Sequence, residues 1–144
     1  MANPVVYDKA KWHYGGDYPA DFPISQAFVH TGMFLAWIVD HDLYSPEFAE
    51  EFAQEIAAVK TRTMTGAQLL EAADGVFADD MLSEEGNAFT HDYFDFEHGA
   101  YLSDYQETLG ANLPSLYHVQ DTWENYDKLR AVIDRRYADW RRRR

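Results

Sequence analysis

Residues 121–140 read DTWENYDKLRAVIDRRYADW, and their spacing settles the fold class. Tyr126, Leu129, Ile133, Tyr137 and Trp140 follow one another at steps of three, four, four and three. That rhythm lays five large apolar side chains along one face of a helix. Asp121 with Glu124 three residues later reads as a capping box that opens it. Lys128, Arg130, Arg135 and Arg136 fall on the outer faces. Arg141 to Arg144 follow with no apolar neighbour, and four like charges in a row predict a frayed basic tail.

The same rhythm recurs upstream. Ser45 with Pro46 after it and Glu47, Glu50 and Glu51 close behind reads as a capped helix start. Phe48, Phe52, Ile56 and Val59 then form one stripe, which predicts a continuous helix with Phe52 in the core. Ser25 to Asp42 is apolar around most of its circumference and predicts a central helix. Thr65 and Gln68 form a second capping box, and Gly75 reads as a stop. Residues 76–83 are expected to add a helical turn. Further helices are expected over about 85–94 and 101–109, with a break at 96–100. Ser115 to Gln120 reads as a short extended piece that cannot build a sheet alone.

Residues 1–23 read differently. Tyr7, Trp12, Tyr14, Tyr18 and Phe22 alternate with Gly15, Gly16, Pro19 and Pro23, which interrupt any regular element. So many aromatic rings predict an arm wrapped over the body, anchored by Trp12 and some of the tyrosines. No convincing strand alternation is present. The expectation is an all-α, irregular multi-helix fold in one domain spanning 1–144.

Composition narrows the function. The chain has no cysteine, which excludes disulfides, iron–sulfur clusters, thiolate zinc sites and cysteine nucleophiles. Its formal net charge is −13. Residues 40–107 hold seventeen acids against Lys60 and Arg62 alone, whereas residues 121–144 are weakly basic. An acidic body repels nucleic acid and anionic membranes and attracts a basic protein. No leader-like or membrane-spanning apolar run is present, so a cytoplasmic protein is expected.

Four kinds of chemistry are open to these residues. His30 and His41 lie on one face of the central helix but about 16 Å apart, too far to share one ion. His41, between Asp40 and Asp42, reads equally as a histidine favoured at a helix end. His91, Asp92, Asp95, Glu97 and His98 crowd eight residues, and His91 with Asp95 stands at i and i+4. Their spacing matches neither a calcium loop nor a zinc-protease helix. No serine sits in a nucleophile elbow and no phosphate loop exists. No catalytic residue, metal ligand or cofactor is therefore assigned. The fourth is protein binding. Asp79, Asp80, Glu84, Glu85, Asp92, Asp95, Glu97 and Asp104 interleave with aromatic residues such as Tyr93. Aromatic anchors inside an acidic rim suit a basic partner, although core aromatics with solvated acids give the same pattern.

Three stretches carry a resemblance: YDKAKWHY at 7–14, HTGMFLAW at 30–37 and DTWENYD at 121–127. With the helical links between them, they resemble a family of small acidic bacterial proteins with no assigned activity, similar to toxin-immunity proteins. The resemblance implies a protein that neutralises a cognate basic toxin by occluding its active site, a monomer within a heterodimeric complex. It supplies no catalytic residues; His13, His30 and Trp37 fall inside its stretches. The alternative is a small metal-binding protein or enzyme using His30, His91 or His98 with nearby acids.

Overall fold

The structure is a computed structural model that describes residues 5–14 and 23–143. It is mostly helical. At its centre is α2, Val29–Asp40, preceded by a 3-10 turn over Ile24–Phe28. Every residue from Val29 to Val39 is buried. A helix that is apolar on all sides gains only by being surrounded, and the neighbours of α2 surround it.

One neighbour comes closer than side chains normally allow. α5, Gly66–Ala72, is opened by the capping box of Thr65 and Gln68. It crosses α2 where Gly32 meets Gly66 and Ala67. A Cβ on Gly32 would stand 2.5 Å from Ala67 Cα and N, so the two backbones pack directly on each other. Between these helices the chain forms α3, Pro46–Glu51, and α4, Ala53–Lys60. Ser45 caps α3 as expected, its Oγ accepting from the Phe48 N–H at 3.1 Å. The continuous helix expected over this stretch is broken at Phe52, whose backbone (φ −117°, ψ 32°) leaves the helical region. Phe52 is half-buried against Phe48, ring centroids 4.8 Å apart, and not in the core as expected.

The mostly helical single domain is as expected, but it also carries one small two-stranded sheet. β1, Val6–Lys9, pairs antiparallel with β2, Val76–Ala78, in the register Val6↔Ala78, Asp8↔Phe77 and Lys9↔Val76. The residues expected to add a helical turn therefore supply a strand and a 3-10 turn, Asp79–Met81. A bulge interrupts the pairing between Val6 and Asp8. A bulge re-aims side chains, and here Asp8 ends up 2% exposed. β1 runs straight into the short helix α1, Ala10–Tyr14.

α6, Glu84–Tyr93, is capped by Ser83, and α7, Tyr101–Tyr105, runs into a π turn over Gln106–Gly110. A 3-10 turn follows at Leu116–His118 in place of an extended piece. α8, Trp123–Arg143, then buries Tyr126, Leu129 and Ile133 of the expected stripe. Its cap is not Asp121. Thr122 Oγ1 accepts from the Asn125 N–H at 3.1 Å, while Asp121 accepts from Thr65 Oγ1 at 2.6 Å. Arg141–Arg143 continue the helix, with the Arg141 guanidinium 5.6 Å from the Tyr137 ring centre. In the arm, Tyr7 packs on Phe77 and Phe94. Trp12, expected as an anchor, is instead 53% exposed beside Lys9. Tyr18, Phe22 and Arg144 lie outside the described residues. No helix among those described is long and apolar enough to cross a membrane.

Candidate functional site

The bulge in β1, the first turns of α2 and the helix α1 converge on one point. Asp8 arrives from β1, His13 from α1 and His30 from α2. His13 Nε2 lies 2.8 Å from both Asp8 carboxylate oxygens. It lies 3.2 Å from His30 Nε2. His30 Nε2 is in turn 3.5 Å from Asp8 Oδ2. Thr31 Oγ1, the next residue on α2, donates to the same Oδ2 at 2.5 Å. Among the described residues this is the one group of three metal-ligating side chains whose ligand atoms gather within 4.8 Å.

Each member is held by further contacts. His13 Nδ1 bonds the Tyr117 hydroxyl at 2.8 Å. Gln26 fixes the turn that carries Tyr117, its Nε2 donating to the Tyr117 and Val119 carbonyls at 2.8 and 3.0 Å. The Tyr101 hydroxyl donates to the His30 carbonyl. Phe96 and Tyr117 pack against both imidazoles, with centroids 5.7–6.3 Å apart. His30 is 1% exposed. Its Nδ1 and the nearby Tyr105 hydroxyl are buried without a hydrogen-bond partner among the described residues.

The electrostatics suit a shared cation. Burial alone would raise the Asp8 carboxyl, but hydrogen bonds from His13 and His30, and their charge whenever they are protonated, outweigh it and hold it at about 2. Burial lowers the His30 imidazole, with Asp8 pulling the other way. The site therefore presents a carboxylate and a neutral imidazole, the ligand forms of both groups. The three atoms form a triangle with edges of 2.8, 3.2 and 3.5 Å. Neighbouring ligands bound at about 2.0–2.2 Å stand about 3.0–3.5 Å apart. Two imidazoles and one carboxylate thus already lie close to the spacing an ion would require.

The acidic segment singled out in the sequence is arranged otherwise. Asp80, Glu84, Asp92 and Glu97 are exposed. Asp79 accepts from the Val5 N–H at 3.0 Å, and Asp95 accepts from the Glu97 N–H at 2.9 Å. Three of the acids are engaged by α8. Glu85 accepts from the Tyr137 hydroxyl and Asp92 from Trp140 Nε1. Asp104, 4% exposed, takes two bonds of 2.9 Å from Arg136. Tyr93, 5% exposed, donates to Asp104 at 2.7 Å. The nine residues do not share one free surface.

The histidine candidates separate as well. His41 packs against Trp37 with its ring tilted and bonds Asp134 Oδ1 at 2.8 Å, an oxygen that also accepts from Trp37 Nε1. His91 and His98 are exposed and join no three-ligand group among the described residues. His30 does join one, with Asp8 and His13, which the sequence reading did not propose as its partners. The available signal was that His13 and His30 both sit in the stretches that carry the resemblance.

Comparison with curated proteins finds no match, and neither does comparison with solved structures. A family model does match, over residues 6–119. That span contains Asp8, His13, His30 and Tyr117 and ends before α8. The chain thus belongs to the family described as Domain of unknown function (DUF7832).

Proposed function

We propose that this protein binds a single divalent transition-metal ion through Asp8, His13 and His30. The observation that carries the reading is the convergence of the three ligand atoms within 4.8 Å in a buried setting. Mixed imidazole and carboxylate donors suit iron(II), manganese, cobalt, nickel or zinc better than calcium or magnesium, which favour oxygen alone. Three protein ligands leave coordination positions for water or a substrate, the arrangement of reactive rather than purely structural centres.

The test is metal content together with calorimetric titration of zinc or cobalt(II) into the metal-stripped protein. One ion per chain is expected. His13→Ala should abolish it, while His91→Ala and His98→Ala leave it unchanged. A chain that takes up no ion, or binds equally well without His13, overturns the reading.

A second reading is neutralisation of a cognate basic toxin in the bacterial cytoplasm. It is supported by a groove in which the exposed acids Glu47, Glu51 and Asp80 surround the half-buried Phe52. An acidic rim of this kind speeds association with a basic partner at low salt. Reversing Glu47, Glu51 and Asp80 to Lys should slow binding of a toxin domain encoded beside this protein. Equal rates at low and high salt count against it.

A further inference from the structure

Resting on the metal reading, we infer that Tyr117 is the positioning residue of the site, the group that sets which nitrogen of His13 faces the ion. The argument begins with the proton count of an imidazole. A neutral ring carries one N–H donor and one lone pair. Without an ion, His13 Nε2 faces two carboxylate oxygens at 2.8 Å. A carboxylate only accepts, so the N–H belongs on Nε2. Nδ1 is then the lone pair and accepts from the Tyr117 O–H at 2.8 Å.

An ion bound to Nε2 reverses this. The Nε2 lone pair goes to the metal and the N–H passes to Nδ1. For a neutral ring, the Nε2 proton would leave to solvent and Nδ1 would take one up, so the proton count of the ring would be unchanged. Nδ1 now donates to the Tyr117 oxygen along the same 2.8 Å line. A backbone carbonyl could serve only the ion-bound form, because it cannot donate. A hydroxyl serves both forms, because it is donor and acceptor.

Tyr117 is also well placed to impose an orientation. Ser115 Oγ accepts from its N–H at 3.2 Å, and Gln26 holds its carbonyl. Its ring stands edge-on to both imidazoles. A partner on the far nitrogen of a ligating histidine fixes the ring plane and raises the basicity of the near nitrogen. Thr31 also holds the Asp8 carboxylate, donating to Oδ2 at 2.5 Å.

The experiment has two arms on the full chain. In the first, zinc is titrated into the parent and into Tyr117→Phe. The variant should bind about 10–100-fold more weakly, the usual loss when such a partner is removed. In the second, ring 15N signals of the parent are recorded at about pH 8, where an ordinary imidazole is neutral. His13 should carry its proton on Nε2 without zinc and on Nδ1 with it. Equal zinc affinity in Tyr117→Phe, or an Nδ1–H ring already present without zinc, overturns the role of Tyr117 while leaving the metal site standing. A parent that binds no zinc overturns the metal reading itself, and this role with it. The second arm needs no substitution, so a variant that folds poorly does not decide the matter.

Discussion

Adding one methyl group at Gly32 tests the helix crossing that holds the core together. Alanine favours a helix interior over glycine by about 1 kcal/mol, so in isolation Gly32→Ala would stabilise α2. The crossing opposes this. The new Cβ would stand 2.5 Å from Ala67 Cα and N, whereas ordinary contacts begin at 3.4 Å. Both obstructing atoms are backbone, so no rotamer change relieves them, and α5 must retreat by roughly 1 Å. Overpacking a core costs about 1–3 kcal/mol, and a backbone collision belongs at the upper end. The retreat also loosens Leu69 and Leu70, which α5 buries. The expected net loss is about 2–3 kcal/mol. For a chain near this size that is roughly 5–10 °C in melting temperature. Thermal unfolding followed by circular dichroism measures it. Gly110→Ala is the control, because its Cβ would meet only Gln106 Cγ at 3.6 Å. That variant should be neutral or gain about 0.4–1 kcal/mol from a stiffer unfolded chain. An unchanged or higher melting temperature for Gly32→Ala would refute direct backbone contact between α2 and α5.

Three further outcomes are expected. Phe52→Ala should cost about 1–2 kcal/mol rather than the 3–5 of a fully buried ring, since Phe52 keeps one face in solvent; a urea midpoint showing the larger loss would place it in the core. Asp121 is pushed up by burial, against the Thr65 hydrogen bond, so its contribution is present below its unfolded value and is lost as pH rises through the folded one. Asp121→Asn should therefore gain on the parent as pH rises from acid to neutral, and parallel pH–stability curves would contradict the assignment. Removing Arg141 to Arg144 should leave the melting temperature nearly unchanged, because the cation–π contact of Arg141 and the ion pair of Arg142 are exposed; a loss of several degrees would show that the tail is docked.

The helical frame was legible because its signals are local. The apolar run of α2, the capping box at Thr65 and the stripe of α8 each lie within one stretch of chain. The strands were not legible. Val76–Ala78 is three residues long and shows no alternation, and its partner lies some seventy positions away. The break at Phe52 was hidden for a related reason. An apolar stripe fixes which residues turn inward but not whether the backbone between them stays helical. The glycine crossing left no pattern either, because Gly32 matters only to Gly66 and Ala67, which lie on another helix. The candidate site failed to appear on both counts. Asp8 and His13 lie in a segment that reads as an interrupted arm, so His30, though a candidate in its own right, shows no partner within its own stretch of chain. A ligand set at positions 8, 13 and 30, steadied from position 117, matches no short motif.

That scatter along the chain has a kinetic consequence. Asp8 is brought in by a strand whose partner starts at Val76, and Tyr117 reaches His13 across 104 residues. Both loops must close before the steadied site is complete, and loop closure is the slow, entropically costly part of assembling distant segments. The expectation is that the complete centre forms after the folding barrier, and folding and unfolding rates measured with and without zinc test it. Interactions absent at that barrier act on the unfolding rate and hardly on the folding rate. An ion held at Asp8, His13 and His30 would work as a latch on a finished molecule, lengthening the life of the native state without hastening its arrival.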